Sequence, residues 1–242
     1  AKGKGGSMHM FDRINTLFGG HGIVGAQTPL GAGLAFGTKY IDKVIDGGKS
    51  NRVTLCFLGD GALNQGAFHE AMNLAGLLGL PVIFIVENNG YSMGTSITRG
   101  TTMAHAICEK AKGYGIRARE IDGMDVCSVY DEMKALVDEV RETSTPAFVD
   151  MRTYRFKGHS MSDPRKYRPR EEEVVYESDD PIGKLQQRLI AEGTTDEDAI
   201  KAMNKVIRKE VRESMEWSEA SPPPPMEELY KDVYIETWGP YT

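Results

Sequence analysis

The chain has 242 residues, 40% of them hydrophobic and 26% charged, with a formal net charge of -6 and an isoelectric point near 5.5. That is enough chain for one sizeable core, and the acidic balance argues against nonspecific binding to nucleic acid. The longest apolar stretch, Leu74 to Val86, is broken by Gly76, Gly79 and Pro81 and is too short to span a bilayer, so no membrane partner is expected. Cys56, Cys108 and Cys127 contain no C-x-x-C pair and read as buried thiols in a reducing compartment, with a disulfide or zinc site as the weaker alternative.

In chain order, the opening Lys2-Gly3-Lys4-Gly5-Gly6 shows neither a secretory signal nor an amphipathic targeting pattern, and the chain is expected to start inside its domain. Gly31 to Tyr40 reads as a small-residue helix packed closely on a sheet; its G-x-G-x-x-x-G spacing misses the dinucleotide fingerprint by one residue. Val53 to Leu58 is a nearly unbroken β-rich apolar run, as expected of a parallel strand buried on both faces. A helix is predicted from Asn64 to Leu78, with Phe68, Ala71, Met72, Ala75 and Leu78 at helical spacing, and a second strand from Val82 to Val86.

Further predicted elements are a helix over Thr102 to Tyr114, a strand over Arg117 to Ile121, a helix over Val126 to Glu142 and a strand over Ala147 to Tyr154. This alternation predicts right-handed βαβ crossovers and a parallel sheet. Asp180-Pro181 opens an amphipathic stretch carrying Ile182, Leu185 and Leu189. A second such stretch begins at a capping-box-like Thr194-x-x-Glu197 and places Ile200, Met203, Ile207, Val211 and Met215 on one face. Residues 1–221 are thus expected to form one α/β domain that includes the C-terminal helices. Residues 222–242 form a proline-rich spacer and an extended arm.

Chemistry concentrates in two places. Gly59-Asp60-Gly61 follows the first strand, at the sheet edge where open parallel sheets bind ligands, and its glycines admit a phosphate to the backbone. The following helix would point N–H groups and a positive dipole toward an anion. Asn88-Asn89 follows the second strand and reaches the same edge. One carboxylate, one amide oxygen, a carbonyl and phosphate oxygens would make an oxygen-only shell suited to magnesium. The other place is the polar loop Thr153 to Pro164, continued by Arg165-Lys166-Tyr167-Arg168, where Arg155 can fork onto phosphate oxygens and His159 can donate a hydrogen bond or move a proton. His69-Glu70-x-x-Asn73 lacks the second imidazole of a zinc-protease helix and is assigned to a helix surface or subunit interface. For His9 and His21, in glycine-flanked segments, a structural role carries at least as much weight as a substrate contact.

Asp60 and Asn89 stand 29 positions apart, and this GDG with NN resembles the thiamine diphosphate motif. The stretch GDGALNQGAFHEAMNLAGLLGLPVIFIVENNGYSMGTS, the string from Gly20 to Gln27 and the loop Gly158-His159-Ser160-Met161-Ser162-Asp163-Pro164 resemble the alpha subunits of the decarboxylating component of pyruvate dehydrogenase. The resemblance implies a thiamine diphosphate-binding α/β fold and an enzyme that oxidatively decarboxylates pyruvate and passes the acetyl group to a lipoyl arm on an acyltransferase component. It implies that Asp60, Asn89 and the Tyr91 carbonyl hold magnesium, that Gly22, Val24, Gly61, Ala62, Arg155 and His159 line the cofactor, and that Met93 wedges between its two rings. His159 is the catalytic candidate.

In this family the activating glutamate lies on a beta subunit, so an alpha2beta2 heterotetramer is implied. The location implied is cytoplasmic in a bacterium and matrix or plastid in a eukaryote. The helical segment with a Tyr-Arg pair that precedes this region in related alpha subunits has no counterpart here. Alternatives are an acetoin or branched-chain 2-oxoacid dehydrogenase alpha subunit or, in another class, a noncatalytic interaction subunit. Ser160, beside His159 in the loop that resembles the family's phosphorylation loop, is a candidate phosphorylation position; about two added negative charges there would repel a bound diphosphate.

Overall fold

The structure, a computed structural model, describes residues 5, 6, 8–48 and 50–231, the side chain of Tyr230 excepted. Most of the Gly/Lys opening and the terminal arm from residue 232 lie outside the described residues. The chain divides into two compact units, Ala1–Leu185 and Gln186–Thr242. In order, the first unit contains α1 (Gln27–Tyr40), β1 (Thr54–Gly59), α2 (Gly66–Leu78), β2 (Val82–Asn88), β3 (Tyr91–Ser92), β4 (Thr95–Ser96), α3 (Ile97–Gly100), α4 (Cys108–Lys112), β5 (Arg117–Asp122), α5 (Val126–Thr143), β6 (Ala147–Arg152) and α6 (Arg170–Glu177). Helix α7 (Pro181–Ala191) crosses the division, and α8 (Glu197–Ala220) belongs to the second unit.

Four strands form one sheet in the order β1-β2-β6-β5, with each neighbouring pair parallel. The α/β fold with a parallel sheet expected from the sequence is therefore present. Registers place Gly59 beside Glu87 and Asn88 beside Arg152, so three strands end at one carboxyl edge. Period-two alternation divides the core into two clusters. Cys56, Leu58, Phe84, Val86 and Phe148 pack with Ala32, Ala35, Phe68, Met72 and Ile107 on one face, while Ile83, Ile85, Val149 and Ile121 pack with Leu136 and Val140 of α5 on the other. The close approach of α1 is real: a Cβ on Gly31 would fall 2.8 Å from the Cβ of Cys56.

Several predicted elements are corrected. Strand β1 is not buried on both faces; Leu55 and Phe57 are 44% and 52% exposed, because β1 is the sheet's margin and α5 covers the strands further in. The helix expected from Asn64 begins at Gly66, after a 3-10 turn over Asp60–Asn64 and an extended Gln65. Of Thr102 to Tyr114 only α4 is α-helical: Met103 adopts φ +59°, and Thr101 turns its hydroxyl onto Asn64 Oδ1 at 2.8 Å. Helix α6 was not anticipated. In the second unit the α8 cap is Asp196, which accepts from the Ala199 N–H at 2.8 Å, rather than Thr194. The three cysteines are free, Cys56 buried and the others half-buried.

The aromatic hub holds α2 to the sheet. Phe68 meets Phe84 and Phe148 with ring centroids 6.4 and 6.3 Å apart at 83° and 62°, edge to face. All three side chains are fully buried. Phe68→Ala is expected to destabilise the chain by about 3–5 kcal/mol, measured as a lower urea midpoint with an unchanged slope.

Candidate functional site

The site is built around Asp60, the first residue after β1. Its backbone turns into the 3-10 helix, which carries the carboxylate inward rather than toward solvent; the residue is 2% exposed. Oδ1 accepts from the Gly61 N–H at 3.0 Å and from Ser92 Oγ at 3.5 Å. Oδ2 is buried without a hydrogen-bond partner among the described residues. Burial pushes the carboxyl above its usual range, opposed by these hydrogen bonds and more weakly by the charge of Arg155. Gly61 has no room for a side chain, since a Cβ there would lie 2.2 Å from Ser92 Oγ. Ala62 is buried beside it.

The second strand ends in two asparagines with different tasks. Asn88 is 3% exposed; its Nδ2 donates to Asp150 Oδ1 at 2.9 Å and its Oδ1 accepts from the Gly90 N–H at 3.3 Å. Asn89 is half-buried and accepts from the Tyr91 N–H at 3.2 Å. Strands β3 and β4 then form a hairpin whose tip is Met93-Gly94. Met93 takes φ +54°, a conformation costly for a side chain of its size, and is 65% exposed.

Arg155 joins this hairpin to the long loop. Nη1 donates to the Tyr91 carbonyl at 3.1 Å, and Nη2 donates to the Met93 carbonyl at 2.6 Å and to the Tyr167 hydroxyl at 2.9 Å. Tyr167 in turn donates to Asp163 Oδ2 at 2.6 Å, the same oxygen that accepts from the His159 N–H at 2.7 Å. With the Arg165 N–H on Oδ1 at 2.8 Å, these bonds hold the Asp163 carboxyl down at about 2, the Tyr167 hydroxyl contributing most. His159 itself is exposed.

Arg168 closes the loop from behind. Its side chain is buried, donates to the carbonyls of Arg155 at 2.5 Å and Phe156 at 3.0 Å, pairs with Glu173 of α6 at 2.8 Å, and lies 5.1 Å from the centre of the Tyr154 ring. The structure thus brings together Asp60, Gly61, Ala62, Asn89, Tyr91, Met93 and Arg155, with His159 attached through Asp163. Gly22 and Val24 precede α1, and Gln27 Nε2 donates to the Phe57 carbonyl at 3.2 Å, which directs that segment toward the carboxyl end of β1. Ser92, Asp150, Asp163, Tyr167 and Arg168 were not singled out in the sequence. Arg168 had one usable signal, Glu173 five residues on, in the first turn of a helix.

A cation fits here. Among the described residues no group of three or more His, Cys, Asp or Glu could hold a metal. The set available is one carboxylate oxygen without a partner, an amide oxygen and a carbonyl, to be completed by ligand oxygens, which is how magnesium is usually bound. No helix of the described residues is long and apolar enough to cross a membrane.

Fold and site together define a parallel α/β protein with a buried, half-satisfied carboxylate at the carboxyl edge of its sheet. The chain belongs to the dehydrogenase E1 component family, a family of oxidoreductases, whose model matches residues 1–227. It is 46% identical over 235 residues to the pyruvate dehydrogenase E1 component subunit alpha of Rickettsia bellii, covering 97% of this chain and 70% of the relative. The corresponding protein of Zymomonas mobilis is 48% identical, covering 96% of this chain and 64% of that one. The testis-specific mitochondrial form of Rattus norvegicus is 42% identical, with 97% and 57% covered.

Two outcomes are expected. Asp60→Asn should stabilise the cofactor-free protein at pH 7 by about 1–3 kcal/mol, the cost of an unsatisfied buried charged oxygen, read as a raised Tm. Asp163→Asn should loosen the loop, seen as faster proteolytic cleavage between Gly158 and Tyr167. A carboxyl lowered to about 2 gives stability present above its ordinary value of 3.8 and lost as pH falls through about 2. The difference between wild type and variant should therefore persist from pH 7 down to pH 4.

Proposed function

We propose that this chain is the alpha subunit of a pyruvate dehydrogenase decarboxylating component, dependent on thiamine diphosphate and magnesium and completed by a beta subunit as an alpha2beta2 assembly. The observation that carries this reading is the buried, unpartnered oxygen of Asp60 at the sheet's carboxyl edge, joined through the Ser92 hydroxyl to the hairpin that follows Asn89 and begins at Tyr91. The names of the similar proteins support pyruvate as substrate. They are also alpha subunits, which supports a beta partner.

Bound thiamine diphosphate supplies the carbon nucleophile and the electron sink that decarboxylation of a 2-oxo acid needs. The chain's own residues bind and orient. Asp60 Oδ2, Asn89 Oδ1 and the Tyr91 carbonyl would hold the magnesium ion, Gly61 and Ala62 would let the diphosphate approach the backbone, and Gly22 and Val24 would line the opposite wall. Met93, on its strained turn, would be the apolar support for the rings. Arg155 faces the phosphates while steadying the hairpin, and His159 holds or moves a proton at the reacting end. The acceptor would be the lipoyl disulfide of the acyltransferase component: its S–S bond would break, one sulfur taking the two-carbon unit as an acetyl thioester and the other becoming a thiol, with the unit oxidised as the disulfide is reduced.

The test is reconstitution with a beta chain, followed by calorimetry with thiamine diphosphate and magnesium and by carbon dioxide release from pyruvate. Asp60→Ala should lower magnesium-dependent cofactor affinity at least about 100-fold, the upper range for loss of support at a metal site. His159→Ala should lower turnover about 10²–10⁴-fold, as for loss of a proton-transfer group, with cofactor affinity retained within about tenfold. Turnover of acetoin or branched-chain 2-oxoacids in preference to pyruvate would move the substrate assignment within the family.

A further inference from the structure

Asp150 has no part in the site as proposed, yet it is the most deeply buried carboxylate among the described residues. It lies in β6, an interior strand of the sheet, opposite Val86 in the register, and is 0% exposed. Oδ1 accepts from Asn88 Nδ2 at 2.9 Å, and Oδ2 lies 2.8 Å from Arg152 Nη2 without hydrogen-bond geometry. Arg152 also donates to Glu120 at 2.8 Å, so the carboxylate is anchored from β5 as well.

A buried carboxylate in the middle of a sheet is costly unless it is used. Its one side-chain hydrogen bond leads to the site. Ionised carboxyl oxygens accept and do not donate, so Asp150 obliges the Asn88 amide to turn its NH2 inward and its oxygen outward. The outward oxygen takes the Gly90 N–H at 3.3 Å, at a residue held at φ +80°. Asn88's own carbonyl accepts from the Thr153 N–H at 2.9 Å. The turn that presents Asn89 Oδ1 and the Tyr91 carbonyl is therefore tied to Asp150 through the Asn88 amide, alongside the Ile97 N–H on the Gly90 carbonyl at 2.8 Å and Arg155 on the Tyr91 carbonyl.

We propose that Asp150 is a positioning residue for the cation and diphosphate site, setting through Asn88 the turn that offers two of the three protein oxygens to the metal. This inference rests on the proposed cofactor site. Supporting groups of this kind usually change metal affinity by about 10–100-fold.

The experiment uses the reconstituted complex with its beta chain and measures the magnesium concentration for half-maximal thiamine diphosphate binding, together with Tm and turnover at saturating magnesium and cofactor. Asp150→Ala and Asn88→Ala should each raise the half-saturating magnesium about 10–100-fold, while turnover at saturation stays within about threefold. The double variant should lose no more than either alone, because both cut one connection. Asp150→Asn keeps an acceptor for Asn88 and should lose less than about fivefold.

Unchanged magnesium dependence in an assembled Asp150→Ala complex, or losses that multiply in the double variant, would overturn the proposal. Should Asp150→Ala fail to assemble, the contrast between Asn88→Ala and Asp150→Asn decides in the same way: equal losses sink the idea, and loss in the first alone sustains it. Failure of the unsubstituted complex to bind thiamine diphosphate with magnesium is a separate result, which removes the cofactor site and the inference with it.

Discussion

Asp60 is 2% exposed, and its Oδ2 has no partner within the described protein. Leaving a charged oxygen in that condition costs on the order of 1–3 kcal/mol or more, a sizeable part of the net stability of a domain. The surroundings do little to lower that cost. Gly61 and Ser92 satisfy the other oxygen, and Arg155 supplies only a weak opposing field. Structural carboxylates in cores are generally paired; under the proposed function the unpartnered oxygen of Asp60 is the one a cation would satisfy.

That constraint spreads outward through few connections. Arg155 places its donors on Tyr91, Met93 and Tyr167, so one guanidinium fixes both the hairpin and the loop. Tyr167 passes the restraint to Asp163, and Asp163 to the backbone of His159. Arg168 stiffens the same loop from behind by drawing carbonyls of residues 155 and 156 against α6. The position of the proton-handling candidate is thus tied to the oxygens of the cation pocket through charge-assisted hydrogen bonds. A disturbance at any link reaches both ends.

The sheet was legible because buried parallel strands write themselves as apolar runs, and Val82 to Val86 and Ala147 to Val149 are that kind of run. What escaped depends on neighbours that sequence spacing does not name. Leu55 and Phe57 look like core residues until the sheet order puts β1 at the margin. The helix predicted from Asn64 starts two residues later, at Gly66, because Asn64 closes the 3-10 turn begun at Asp60 and takes the Thr101 hydroxyl. The site residues were found as a motif, by resemblance. The residues that hold them, Asp150 and Arg168, come from other segments; nothing separates a lone Asp on a strand from a solvated charge, and the one mark on Arg168 is Glu173 five residues on, in the first turn of α6.

The polarity of the site carries the last step. Its inner wall is a buried carboxylate with amide and carbonyl oxygens, whereas its outer rim is apolar: Met93 is 65% exposed and Val24 61%. Met93 holds its place at φ +54°, at a hairpin position that glycine or asparagine would fill with less strain, about 1–3 kcal/mol less by the usual scale of such conformations. An exposed methionine kept at that cost, with its carbonyl clamped by Arg155, has no packing reason among the described residues. Under the proposed function, the cation neutralises the inner end of the cofactor, Met93 supports the outer one, and the strained turn is the hinge between the two recognitions.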